Sequence, residues 1–117
     1  YFLKKTKDLE KFAYFNIEEN HEVLCPHGFS IILKSPKYKF NELEEFLTKQ
    51  GIHNKRNFGS MPTQHRAFSF LGHGLGDFPV SEYIGDNGLH IGVHEYLTQE
   101  DLDYVVEKLH GYFKRFK

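Results

Sequence analysis

Residues Leu89 to Thr98 constrain the fold of this chain more than any other stretch. Leu89, Ile91 and Val93 alternate with His90, Gly92 and His94, the period-two pattern of a strand buried on one face. Four residues later Thr98 stands three places ahead of Asp101, the spacing of a reciprocal helix cap. Glu100 and Asp101 add negative charge beside the first unpaired N–H groups. Leu102, Val105, Val106, Leu109, Phe113 and Phe116 then recur at helical spacing, which predicts a final helix with one buried face. Just upstream, Phe78-Pro79-Val80 opens a short helix and Gly85-Asp86-Asn87-Gly88 closes it. A strand and a helix whose apolar faces can cover each other define a two-layer unit.

The 117 residues suit one domain. With 12 Phe, 7 Tyr and no Trp, phenylalanine must supply much of the core. A net charge of −1 gives no electrostatic reason to expect nucleic acid or an anionic membrane as partner. No run approaches the roughly 20 apolar residues of a bilayer span. A single cysteine, Cys25, allows no internal disulfide and makes a reducing, cytoplasmic setting the default expectation. The first residue is Tyr1 rather than Met, and Phe2, Leu3, Leu9 and Phe12 lie among lysines without the long apolar run of a signal peptide. This start predicts a cut point, with residues 1–12 as the tail of a helix connecting to an N-terminal part and 13–117 as the domain proper.

Phe12 to Ile17 suggests a first strand with Phe15 and Ile17 on one face, and Glu18 to His27 a polar loop. Gly28 to Lys34, with Phe29, Ile31, Ile32 and Leu33, is rich in strand formers and predicts the central strand. Asn41 and Glu44 have the spacing of a helix cap, Leu43, Phe46 and Leu47 form an apolar stripe, and Gly51 followed by Ile52 ends the helix. His53 to Phe58 is expected to be extended. Ser60 to Gly76 shows no sustained period, and an irregular segment of that length is usually functional or mobile. The order of strands and helices predicts an α+β fold, two-layer, with a small, mainly antiparallel sheet and helices on one face.

Eight histidines invite a metal site, but the His21, Cys25 and His27 spacing is unlike the paired ligands of known zinc sites. Ordinary loop and strand-face histidines are the better reading, for His90 and His94 as well. Gly72-His73-Gly74-Leu75-Gly76 has no strand before it and no Gly-Lys-Ser/Thr, so it is read as a loop rather than a phosphate cradle. Lys55-Arg56 offers a phosphate-binding fork, although adjacent basic residues on a strand edge are more often simply solvated.

Five pieces in order carry a resemblance: Gly51-Ile52, then Phe58-Gly59-Ser60-Met61-Pro62-Thr63-Gln64-His65, then Phe78-Pro79-Val80-Ser81-Glu82, then Leu89-His90-Ile91-Gly92-Val93-His94, then Leu97-Thr98-Gln99-Glu100-Asp101-Leu102-Asp103-Tyr104-Val105-Val106. Together they resemble the C-terminal end of the DegT/DnrJ/EryC1/StrS family of pyridoxal-phosphate-dependent enzymes that aminate or deoxygenate nucleotide-linked sugars. The resemblance implies the small C-terminal domain of a fold-type I, aspartate-aminotransferase-like enzyme of deoxyamino-sugar or cell-surface polysaccharide synthesis. It also implies a partner large domain on the same chain, a nucleotide-sugar substrate and a homodimeric full-length enzyme. The cofactor is held through a Schiff-base lysine and a carboxylate at the pyridine nitrogen, and in the family both belong to the large domain. Some members carry histidine in place of that lysine and act as dehydratases. No catalytic or cofactor-binding residue is therefore expected within these 117 residues. The substrate-facing residues implied are Lys55, Arg56, Asn57, Phe58, Ser60, Thr63, Gln64 and His65, with either Lys55 or Arg56 in place of the family's single arginine. His94 matches a family histidine between the last strand and helix, with a packing role against the large domain. The rival reading is a stand-alone, non-catalytic ligand-binding or regulatory α+β domain. Surplus apolar residues, Tyr1, Phe2, Leu3, Phe58, Met61, Phe68, Phe70 and Leu71, predict an apolar face outside the core.

Overall fold

The run Gly28–Leu33, apolar and bounded by a glycine and by Ser35-Pro36, becomes the inner strand β2 of a four-stranded sheet. A computed structural model describes residues 1–58 and 61–117 of the chain. It places β1 (Ala13–Phe15) and β4 (Gly88–Gly92) on either side of β2, with β3 (Asn54–Arg56) at the far edge beside β4. Every pairing is antiparallel. The helices are α1 (Phe2–Lys5), α2 (Phe40–Lys49), α3 (Pro79–Asn87) and α4 (Gln99–Lys114). Short 3-10 turns lie at Lys7–Leu9, Pro36–Tyr38, Pro62–Gln64 and Arg66–Leu71. This is the antiparallel α+β architecture expected from the sequence, with one departure: α2 and α4 cover one face of the sheet, whereas α3 lies against the other rather than beside them.

Register decides which residues share a face. Leu33 lies opposite Ala13, Ile31 opposite both Phe15 and Leu89, and Phe29 opposite Ile91. Side chains alternate along a strand, so this one-in-two set forms a continuous apolar face. Ile31, Leu33 and Leu89 are fully buried against Leu43 and Leu47 of α2 and Leu109 and Phe113 of α4, all at 0% exposure. Rings fill the remaining volume: Phe12 stacks on Phe113 at 5.1 Å and Phe29 on Phe15 at 5.2 Å. The Tyr112 hydroxyl reaches the carbonyl oxygens of Tyr38 and Lys39 at 2.7 and 2.9 Å, so its polar end is satisfied inside the core.

The helix ends follow the sequence in two places and depart from it in one. Thr98 Oγ1 accepts from the Asp101 N–H at 3.2 Å while Asp101 accepts from the Thr98 N–H at 2.8 Å, the reciprocal cap in full. At the end of α2, Gly51 adopts φ 74°, Gly51 N–H donates to the Thr48 carbonyl and Ile52 N–H to that of Leu47, a Schellman closure. The expected Asn41–Glu44 cap does not form. Helix α2 is capped two residues earlier, at left-handed Lys39, and both side chains are taken by the Arg56 guanidinium. It donates to Asn41 Oδ1 at 2.8 Å and to Glu44 at 2.6 and 3.0 Å.

Other expectations need correction. Phe2 is buried at 7%, its ring 4.9 Å from Phe29, and Leu3 packs against the same core; neither belongs to a leftover apolar face. Strand β1 stops at Phe15, leaving Ile17 exposed, and β4 stops at Gly92 rather than His94. The segment after residue 60 is more regular than its composition suggests, because Pro62 and the following residues wind two 3-10 turns. Tyr1, Phe58, Phe68, Phe70 and Leu71 do stay exposed.

Candidate functional site

The opposite face of the sheet carries the other half of the alternation: Gly28, Ser30 and Ile32 of β2, Gly88 and His90 of β4, and Lys55 of β3, which pairs with His90. Helix α3 lies against part of this face. Tyr83 donates from its hydroxyl to the Leu33 carbonyl at 2.7 Å, and Ile84 sits over Gly88, where a Cβ would collide with the Ile84 carbonyl oxygen and the Asn57 amide. Beyond Ile84 the face opens into a cleft of about 870 Å³. Gly28, Ser30, Asn57 and His90 form its floor, and Phe58, Met61, Pro62, His65 and Phe68 line it from the segment that follows β3. Its size and mostly apolar lining with a few polar groups match a small-molecule site.

The polar floor is a connected set. Asn57 Nδ2 donates to Ser30 Oγ at 3.0 Å, and Asn57 Oδ1 lies 3.2 Å from His90 Nδ1. With the amide in this orientation its oxygen can only accept, which assigns the His90 proton to Nδ1 and leaves Nε2 as an acceptor. Burial lowers the His90 pKa from its ordinary value, and His27 and Lys55 push in the same direction, so the ring is neutral at neutral pH. The His27 ring lies 5.5 Å away, edge to face.

The rim is built by a carboxylate. Glu82, in the first turn of α3, accepts from Gln64 Nε2 at 2.5 Å, from the Gly76 N–H at 2.8 Å and from the Phe78 N–H at 3.3 Å. The Gln64 hydrogen bond, then that of Gly76, holds its carboxyl below the ordinary glutamate range. Gln64 also donates to the Gly74 carbonyl at 2.7 Å and accepts from the Met61 N–H at 3.0 Å. The Gly74 N–H goes to Asp77 at 2.9 Å. Two amides of the glycine-rich loop are thus engaged by the chain's own carboxylates rather than turned toward an anion.

The residues implied by the resemblance separate accordingly. Asn57, Phe58 and His65 line the cleft, and Lys55 stands beside it on the His90 face. Arg56 points to the other face, fastened to α2 as described and stacked 4.8 Å over Phe40. Gln64 is a rim strut. Thr63 is half-buried, its Oγ1 buried without a hydrogen-bond partner among the described residues. Ser60 lies outside the described residues. His94 is exposed, 6.2 Å from the Tyr96 ring. Sequence reasoning missed Ser30, His27 and His90 as cleft residues; the only available signal was the placement of Gly28 and Gly88 at strand starts. Among the described residues no three His, Cys, Asp or Glu side chains gather into a metal site. No helix of the described residues is long and apolar enough to cross a membrane.

Pyridoxal phosphate needs an amine for its aldehyde and an acid at its ring nitrogen. Among the described residues the lining of the cleft contains neither lysine nor carboxylate, so these residues alone do not form a site for it.

The fold is similar to that of S. venezuelae DesV, solved with a ketimine intermediate (TM-score 0.81, 14% identity, 95% of this chain and 29% of that one). It is similar to a DegT DnrJ EryC1 StrS aminotransferase from Brucella abortus (TM-score 0.78, 18% identity, 95% and 29%). It is also similar to the GDP-4-keto-6-deoxymannose-3-dehydratase ColD with bound GDP-perosamine (TM-score 0.72, 25% identity, 92% and 28%). The chain therefore spans less than a third of the length of these enzymes. A search of curated protein sequences gave no match. The model of the DegT/DnrJ/EryC1/StrS aminotransferase family matches residues 1–110, and the chain belongs to that family.

Proposed function

We propose that this chain is the C-terminal small domain of a pyridoxal-phosphate-dependent nucleotide-sugar aminotransferase or 3-dehydratase, and that its open cleft faces the nucleotide sugar. The observation that carries this reading is the family match over residues 1–110 on a chain covering only 29% of a similar enzyme. The cofactor's lysine or histidine and its carboxylate would come from a large N-terminal domain. Residues 1–12 would be the end of the connection to that domain and residues 13–117 the small domain. The partners are that domain, the nucleotide sugar and, through the whole enzyme, a second copy in a homodimer. The cytoplasm is the proposed compartment, consistent with a single cysteine, and deoxyamino-sugar or polysaccharide synthesis the proposed role.

Within the cleft, Asn57, Phe58 and His65 are the substrate-facing residues, with Lys55 beside them and Ser60 and Thr63 on the same segment. Arg56 and Gln64 serve by holding β3 and the rim in place. The test is to purify the protein encoded by the reading frame containing this chain and to record its visible absorbance with pyridoxal phosphate. Its products from a nucleotide-linked 4-keto sugar are then analysed. Bound cofactor together with gain of an amine or loss of the C3 hydroxyl is expected. A protein that binds neither cofactor nor nucleotide sugar would favour the non-catalytic ligand-binding domain instead.

A further inference from the structure

His90 is held from both sides. Its Cδ2 lies so close to Gly28 that a Cβ there would stand 2.9 Å away, and the Ile91 carbonyl would stand 3.1 Å from the same Cβ; only glycine leaves room for the ring. On the other edge, Nδ1 meets Asn57 Oδ1, and Asn57 is itself turned by its bond to Ser30. Nδ1 is engaged by Asn57 and Cδ2 packs on Gly28, and among the described residues no hydrogen bond holds Nε2 of this cleft-lining ring.

We propose that His90 is a substrate-contacting residue that offers its Nε2 lone pair to a sugar hydroxyl, and that Asn57 positions it by fixing the tautomer. This rests on the nucleotide-sugar reading of the cleft. A neutral acceptor suits an O–H donor and not a phosphate, which calls for cations or N–H donors. The walls agree with the floor: Phe58, Met61, Phe68 and Ile84 give apolar surface for the C–H faces of a pyranose. The charged or titratable groups facing His90 are His27 and Lys55, and both favour the uncharged ring.

The test uses the full-length protein. Calorimetric titrations compare GDP-mannose, dTDP-glucose and UDP-N-acetylglucosamine with their nucleoside diphosphates. The sugar nucleotide that binds should do so about tenfold more tightly than its diphosphate, the worth of one good hydrogen bond in a desolvated site. His90→Phe should erase that margin without changing diphosphate affinity, and His90→Gln, which can still accept, should keep most of it. A margin untouched in His90→Phe overturns the inference and leaves the nucleotide-sugar reading standing; binding of none of the three sugars by the unaltered protein overturns both. Independently of any variant, histidine ¹⁵N spectra should show His90 protonated on Nδ1, and Asn57→Leu should shift it toward the Nε2–H form. An Nε2–H ring in the unaltered protein also overturns the inference.

Discussion

The two faces of this sheet are made from the same strands and do opposite work. On one, Ile31, Leu33 and Leu89 are sealed at 0% exposure under α2 and α4. On the other, their immediate neighbours Ser30, Ile32 and His90 are only half-buried, beneath α3 and the segment that lines the cleft, and Phe58 at the mouth of the cleft is 93% exposed. One residue of register separates the two sets. The closed face gathers apolar area and carries most of the stability. The open face holds polar groups in fixed relation by means of that stability without contributing much to it.

Substitutions can break or sharpen this contrast. The largest effect is expected for Leu89→Ala, which empties a fully buried site on the closed face and should cost about 2–5 kcal/mol. Ile84→Ala on the open face should cost well under half as much in the same denaturant titration; equal losses would erase the distinction. Gly88→Ala crosses between the faces. Its new methyl group meets the Ile84 carbonyl and the Asn57 amide, and overpacking of this kind costs about 1–3 kcal/mol. Because it pushes on α3 and Asn57, it should also disturb the His90 tautomer signal, which Leu89→Ala in the surviving folded fraction should not. Thr98→Ala should lower stability by about 1 kcal/mol through loss of the α4 cap, an effect confined to the closed layer.

The smallest effects are electrostatic. Glu44, through its bond to Arg56, and Asp101, through Thr98, have carboxyl pKa values lowered in the folded chain, as does Glu82. For each, the folded state holds its proton less tightly than the unfolded chain. Their stabilisation is therefore present above the ordinary carboxylate range and is lost as pH falls through the lowered values. The lowered pKa of His90 adds a penalty of the same sign, absent above the ordinary histidine value and growing as pH drops below it. A melting temperature that rose on acidification would contradict these assignments. Arg56→Ala should cost at most about 1 kcal/mol, since the pair is partly exposed, and should leave ligand binding nearly unchanged.

Much of the closed face was legible in the sequence because its signals are local. The period-two run in β2, the Thr98–Asp101 spacing and the Gly51-Ile52 ending each lie within a few residues of one another. Asn41 and Glu44 misled for the same reason: the spacing that makes a cap also places two acceptors on adjacent turns, and a guanidinium from β3, twelve and fifteen residues away, takes both. Phe2 was misplaced because only the tertiary fold brings it to Phe29. The cleft was half legible. Asn57, Phe58 and His65 came from motif resemblance, whereas Ser30 and His90 stand 27 and 33 residues from Asn57 and meet it only through strand register. A three-residue strand such as β3 carries too little alternation to reveal which of Lys55 and Arg56 shares the face of His90.

The most direct test of the two-faced design is amide hydrogen exchange on the full-length protein with and without its nucleotide sugar. Ligand should slow exchange in residues 61–76 and around His27, at the cleft, while the α2 and α4 amides keep the rates they have without it. Slowing confined to α2 and α4, with the cleft segments unaffected, would place the ligand on the other side of the sheet and contradict the assignment.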